Sequence, residues 1–153
     1  MCFSCSTKLE VNEEVRESVA PEIAIMEPTF IDSLVGNGGV IRGVEFGMSI
    51  DEVRGVETAQ HDETSLDENG VRMVRFVEDF SISRSMDVEY YFSLINKLDK
   101  IVLVVYCDSN KRQGEVYLGL SNEVKKMSEF DSRLMKVGDE HNFNVELLIK
   151  ETD

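Results

Sequence analysis

The chain holds little soft or imidazole chemistry: three cysteines, Cys2, Cys5 and Cys107, and two histidines, His61 and His141. Cys2-Phe3-Ser4-Cys5 is a CxxC, but a zinc site needs a second ligand pair at matching spacing, and the chain supplies none. A thioredoxin-type pair sits between a strand and a helix, not in the first five positions. A Ser-His-Asp or Cys-His site would have to use His61 or His141. Both fall in polar stretches read as loops, with no G-x-S-x-G and no phosphate-binding P-loop in the sequence. His61, Asp62, Glu63, Asp67 and Glu68 gather in one acidic stretch, the oxygen chemistry that calcium prefers. Alignment on Gly70 puts Ser65 first and Phe76 twelfth, which breaks the EF-hand pattern. The remaining carboxylates are many, and none is singled out by its setting. The expectation is no catalytic residue, no metal site and no cofactor.

Cys5 has a different use open to it. Small Ser4 precedes it and Ser6-Thr7-Lys8 follows, a setting that resembles the lipidation point of a bacterial lipoprotein. On that reading residues 1–4 are the end of a signal peptide, and acyl chains on Cys5 anchor the protein. The other reading is an ordinary cytosolic N-terminus that contains cysteines.

The elements that must position any site come from 153 residues, enough for one domain. Hydrophobic residues make up 42% and charged residues 30%, a globular composition. No apolar run nears the roughly 18 residues of a membrane helix, so contact with a membrane is expected only through a lipid anchor. The net charge of -14 repels phosphate backbones and excludes direct nucleic-acid binding. It serves solubility, or steers the chain onto a basic protein. Residues 1–38 hold Pro21, Pro28, the acidic stretch Glu10 to Glu17 and the breaker Gly36-Asn37-Gly38-Gly39, and are read as a tether or loosely packed segment. Residues 39–153 form the domain.

Within it, Val40, Ile41, Val44 and Phe46 suggest a short strand. Ser49 and Glu52 form a capping box for a short helix, with Met48 and Val53 as its staple. A strand is expected from Val71 to Ile82, with Val74, Phe76, Phe80 and Ile82 inward; Glu78 interrupts that face and predicts an edge or bulge. Met86, Val88, Tyr90, Phe92 and Leu94 alternate on one face, Asn96-Lys97 turns, and Leu98 to Cys107 returns. That register sets Phe92 opposite Ile101, Tyr90 opposite Leu103, Val88 opposite Val105 and Met86 opposite Cys107. A helix from Glu115 to Met127 carries Tyr117, Leu120, Val124 and Met127 on one stripe and extends or restarts towards Leu134. Phe143 to Ile149 alternates as a last strand. The predicted fold is α+β: an antiparallel sheet of about four to five strands with two helices on one face, in the order β-α-β-β-β-α-β.

Two helices on one face leave the other uncovered. There Tyr91, Val102, Val104 and Tyr106 would make an exposed apolar patch, the candidate partner surface. The run Phe46-Gly47-Met48-Ser49-Ile50-Asp51-Glu52-Val53 resembles a phrase of small bacterial envelope domains. These are the small outer-membrane assembly lipoprotein (the SmpA/OmlA type) and the repeat of β-lactamase inhibitor protein. Tyr90-Tyr91-Phe92 with Lys97-Leu98-Asp99-Lys100-Ile101 is similar to their strand-turn-strand. Glu57-Thr58-Ala59-Gln60 stands where those families often place Gly-x-Pro, and one repeat is present where the inhibitor has two. The resemblance implies a non-enzymatic, protein-binding or assembly-supporting role in the bacterial cell envelope. The alternative is a cytoplasmic acidic binding protein, of the immunity-protein or secretion-chaperone type, that neutralises a basic partner. The sequence leaves the oligomeric state open.

Overall fold

The computed structural model of the chain describes residues 30–66, 72–81 and 84–152. A helical segment at 30–35 (α1) comes first, followed by a looped stretch and helix α2, Ile50–Val56. Four strands follow: β1 Gln60–Leu66, β2 Arg72–Ser81, β3 Arg84–Phe92 and β4 Leu98–Cys107. Helix α3, Asn110–Val124, then leads to β5 Asp131–Gly138 and β6 Phe143–Lys150. All strand pairs are antiparallel, in the order β1-β2-β3-β4-β6-β5.

The fold is α+β, but the predicted architecture of about four to five strands, two helices and the order β-α-β-β-β-α-β is wrong. Among the described residues the sheet has six strands and there are three helices. Three local readings cause the error. The apolar run 40–46 is not a strand: positive φ at Gly39, Arg42 and Gly43 folds it into a knot closed by an isolated bridge between Ile41 and Val44. Much of the stretch read as an acidic loop is β1, exposed along its whole length. A strand wet on both faces has no apolar alternation to betray it. The segment read as continuing towards Leu134 as helix is β5, after a break at Met127 to Phe130. Of the segment 1–38, residues 1–29 lie outside the described residues, while Phe30, Ile31, Leu34 and Val35 of α1 are buried.

The β3–β4 ribbon is displaced by two residues from the expected register. Met86 lies opposite Val105, Val88 opposite Leu103 and Tyr90 opposite Ile101. The cause is the loop. Residues 93–97 close it, with Ser93 N donating to Lys97 O at 2.8 Å and Asn96 in the left-handed region at φ 60°. Leu94, expected inward, is on this loop and exposed. Tyr91 pairs with Lys100 and Phe92 with Leu98, which leaves Asp99 as a bulge. Because strand faces repeat every two residues, this slip leaves each side chain on its assigned face.

The buried strand residues therefore share one side: Val74 and Phe76, Met86 to Phe92 by alternation, Ile101, Leu103, Val105, and Val145, Leu147, Ile149. They form one cluster with Leu34 of α1, Val53 of α2, and Val116 and Leu120 of α3, so all three helices lie on that side. The capping box of α2 is present: Glu52 N donates to Ser49 Oγ at 3.2 Å and Ser49 N to Glu52 Oε1 at 2.8 Å. Helix α3 begins earlier than expected because Ser109 caps it, accepting from Arg112 N at 3.1 Å.

Two glycines of α3 have opposite roles. A Cβ at Gly114 would meet nothing within 4 Å, whereas one at Gly119 would lie 2.5 Å from Ile31 Cγ1 of α1. Gly119→Ala overpacks the α1–α3 contact and is expected to cost about 1–3 kcal/mol. Gly114→Ala is expected to stabilise by about 0.5–1 kcal/mol through helix propensity. Urea unfolding of the two variants against the parent measures both signs.

Candidate functional site

The side of the sheet away from the helices presents residues of the other parity, so its layout follows directly from the register. One row across the strands reads Arg75, Glu89, Val102, Leu148, Arg133; the next reads Val77, Asp87, Val104, Glu146, Met135. Val102 and Val104 thus lie mid-sheet on β4, partly exposed, with Leu148 beside Val102 and carboxylates to either side. Tyr91 and Tyr106, also on this face, are partly buried and exposed respectively. The structure therefore brings the four candidate residues Tyr91, Val102, Val104 and Tyr106 onto one face, with no described helix over it.

Polar partners hold that face in shape. Tyr106 Oη donates to Asp87 Oδ2 at 2.8 Å, and Tyr91 Oη to Glu89 Oε1 at 2.7 Å. Partial burial and the adjacent carboxylate push each phenol up to about 12. Both stay neutral donors at ordinary pH, far from the range of a useful general base. Arg75 gathers Asp62 at 2.9 Å, Glu63 at 2.7 Å and Glu89 at 3.7 Å. The Asp62 hydrogen bond is the main reason its guanidinium is held above its ordinary value, although burial opposes it. The result is an apolar centre, phenol donors and an acid-rich corner on β1–β3.

The other sequence candidates are scattered. Cys5, like Asp67 and Glu68, lies outside the described residues. His61 is on β1, its Nε2 2.8 Å from Thr64 Oγ1, while His141 is in the β5–β6 turn at the opposite edge of the sheet. Cys107 ends β4 opposite Phe143. Among the described residues no group of His, Cys, Asp and Glu could hold a metal ion.

The most unusual chemistry lies under the helices. Arg42, in the left-handed region at φ 56°, turns its side chain into the core. Its Nε donates to Glu57 Oε2 at 2.9 Å and its Nη2 to Glu57 Oε1 at 2.7 Å. Its Nη1 donates to the carbonyls of Ser33 at 2.8 Å and Leu34 at 3.1 Å, at the end of α1. The buried Tyr90 hydroxyl donates to Glu57 Oε2, and Ala59 N donates to Glu57 Oε1 at 2.9 Å. Glu78 approaches Arg42 Nη2 at 3.4 Å. Burial pushes the Glu57 carboxyl up, but the Arg42 hydrogen bonds and charge, Tyr90 and Ala59 outweigh it and hold it below its ordinary value of 4.5. Burial and the Glu57 charge push the Tyr90 phenol well up. The cluster thus ties the end of α1, the end of α2 and strand β3 together. Sequence reading missed Arg42 and Glu57. The available signals were a lone arginine inside Val40-Ile41-Arg42-Gly43-Val44, and Glu78 on an otherwise apolar face.

Comparison with family models, curated proteins and solved structures finds no match to this chain.

Glu57→Gln would leave the buried guanidinium only the half-exposed Glu78 as counter-charge and is expected to cost about 3 kcal/mol at neutral pH. A carboxyl whose folded value is depressed contributes its stability above the unfolded value and loses it as pH falls through the folded value. The gap between parent and variant should therefore be full at pH 7 and shrink below the ordinary value of 4.5. Urea unfolding at pH 7 and pH 3 checks it.

Proposed function

We propose that this chain is a non-enzymatic protein-binding domain of the bacterial cell envelope, anchored by acyl chains on Cys5, whose partner docks on the uncovered face of the sheet. The observation that carries the reading is the arrangement of Val102 and Val104 between Tyr91 and Tyr106 on a face with no described helix over it. Recognition surfaces combine an apolar centre, tyrosines and a polar rim, and this face has all three. The resemblance of residues 46–53 to small envelope lipoproteins supports the compartment, and Cys5 supplies the anchor. The corner formed by Asp62, Glu63, Asp87 and Glu89 around Arg75 favours a partner with exposed lysines or arginines. It supports equally the second reading, a cytoplasmic acidic protein that neutralises a basic partner.

Two measurements test the proposal. Mass spectrometry of the protein isolated from its producing cells is expected to show diacylglyceryl-modified Cys5; an unmodified thiol there favours the cytoplasmic reading. A photo-crosslinker at Val104 is expected to capture a partner that one at exposed Leu118 of α3 does not. With that partner purified, Val104→Glu should weaken binding about ten-fold or more, because it places a charge in a desolvated centre. Unchanged affinity would remove the sheet face as the docking surface.

A further inference from the structure

The end of the sheet that carries the 93–97 loop combines two features the binding face does not explain. The first is an apolar prong. Leu94 and Ile95 are neighbours at the loop apex, 69% and 76% exposed, and Leu66 at the same end of β1 is 66% exposed. This apex is not slack. Ser93 N donates to Lys97 O at 2.8 Å, Asn96 N to Ser93 O at 2.9 Å, and Ile50 N to Asn96 Oδ1 at 3.4 Å. Leu98 N donates to Met48 O at 2.8 Å and Gly47 N to Leu98 O at 2.9 Å, which fastens the loop base to the entry of α2. Two large aliphatic side chains are thus held out in water on an ordered support.

The second feature is a depression of about 660 Å³ lined by Tyr91, Asp99, Lys100, Asp131, Lys150, Glu151 and Thr152. Lys100 and Lys150 are direct cross-strand partners on β4 and β6. Like charges in that position repel. In a chain with 30 acidic and 16 basic residues, neither lysine forms a salt bridge with another described residue; Lys100 lies instead over the Tyr91 ring at 4.1 Å. Arg72 and Lys97, at the same end, also form none with a described residue, although the Lys97 charge acts on the Glu52 carboxyl. The carboxylates of Asp99, Asp131 and Glu151 share the depression with the lysine pair.

From these features we infer that this end of the sheet docks on a zwitterionic phospholipid surface, with Leu94 and Ile95 entering the acyl boundary and the depression taking a headgroup. The lysine pair suits the phosphate and the three carboxylates suit the headgroup ammonium. An apolar prong at the same end of the sheet as a charged depression is the arrangement required where hydrocarbon meets water. The charge of -14 selects among lipids: an anionic leaflet repels the chain as a whole, and a zwitterionic one does not. The inference goes beyond the protein-binding role. The depression lies on the helix-free face, where Tyr91, Lys100, Lys150 and Asp131 form the row next to Val102 and Leu148, but of the docking residues Tyr91, Val102, Val104 and Tyr106 it uses only Tyr91, and it does not depend on acylation of Cys5.

The test is co-sedimentation of the unacylated chain with phosphatidylethanolamine–phosphatidylcholine vesicles. Binding is expected, and Leu94→Ser with Ile95→Ser should lower it about ten-fold, the loss of two aliphatic side chains from the acyl boundary. Lys100→Gln with Lys150→Gln should lower it about five-fold, and replacement of a third of the lipid by phosphatidylglycerol should not raise it. Tyr106→Ala, which belongs to the protein-binding face, should leave it unchanged. The chain has no tryptophan, so Ile95→Trp provides a single reporter whose emission should shift to the blue and be quenched by brominated acyl chains. Binding that requires phosphatidylglycerol, binding indifferent to the serine pair, or a water-exposed Ile95→Trp reporter on vesicles would overturn the inference. So would binding of soluble phosphoethanolamine with no binding to vesicles. Val104→Glu is a separate probe: it should weaken partner binding without touching vesicle binding, so the two readings fail independently.

Discussion

Among the described residues one ion pair is buried at both ends, and it ties the helical layer to the sheet. Arg42 and Glu57 meet beneath the helical layer, and each is tied to a different part of the chain. Arg42 caps the carbonyls of Ser33 and Leu34 at the end of α1. Glu57 is the C-cap residue of α2 and accepts from Tyr90 on the central strand β3. Charges of this kind are expensive to desolvate, and they persist only when every remaining lone pair and proton finds a partner. Here the carboxylate is met by guanidinium, phenol and backbone N–H, and the guanidinium by two carbonyls besides. The left-handed backbone at Arg42 is the local strain that this arrangement holds in place. The pair therefore sets where α1, α2 and the sheet meet more narrowly than apolar packing alone would.

The one-sidedness of the sheet follows from that fixed layer. With α1, α2 and α3 committed to one face, the opposite face must solve its own solvation problem. It does so with Arg75 across three carboxylates and with two tyrosines each donating to a carboxylate, leaving Val102 and Val104 as an apolar seam. The edges are handled differently. β1 is exposed throughout, acidic, and broken by a bulge between His61 and Glu63, features that discourage pairing with another chain.

What could be read from the amino-acid sequence was whatever repeats with the period of a half-buried strand or announces itself by a cap. The faces of β3 and β4 were legible because Val88, Tyr90, Ile101 and Leu103 alternate with charged or lesser apolar residues, and the parity survived a register error. The capping box at Ser49 and Glu52 was legible because its chemistry is local. β1 was not, since a strand without an inward face carries no period. The run 40–46 was misread as a strand because its apolar residues fill the core from turns; only backbone angles at Gly39, Arg42 and Gly43 distinguish the two. The four face residues were placed by parity alone. The clamp was invisible because Arg42 and Glu57 are 15 positions apart and meet only once the helices are in place.

The claim on which the architecture rests is that Arg42 and Glu57 act as one unit. A double-mutant cycle of Arg42→Met and Glu57→Leu, followed by urea unfolding at neutral pH, measures it most directly. Each single substitution strands a buried charge, whereas the pair together leaves none. The predicted coupling is about 2–3 kcal/mol, with the double variant more stable than either single one. Additive losses, with the double variant the least stable of the four proteins, would contradict the account.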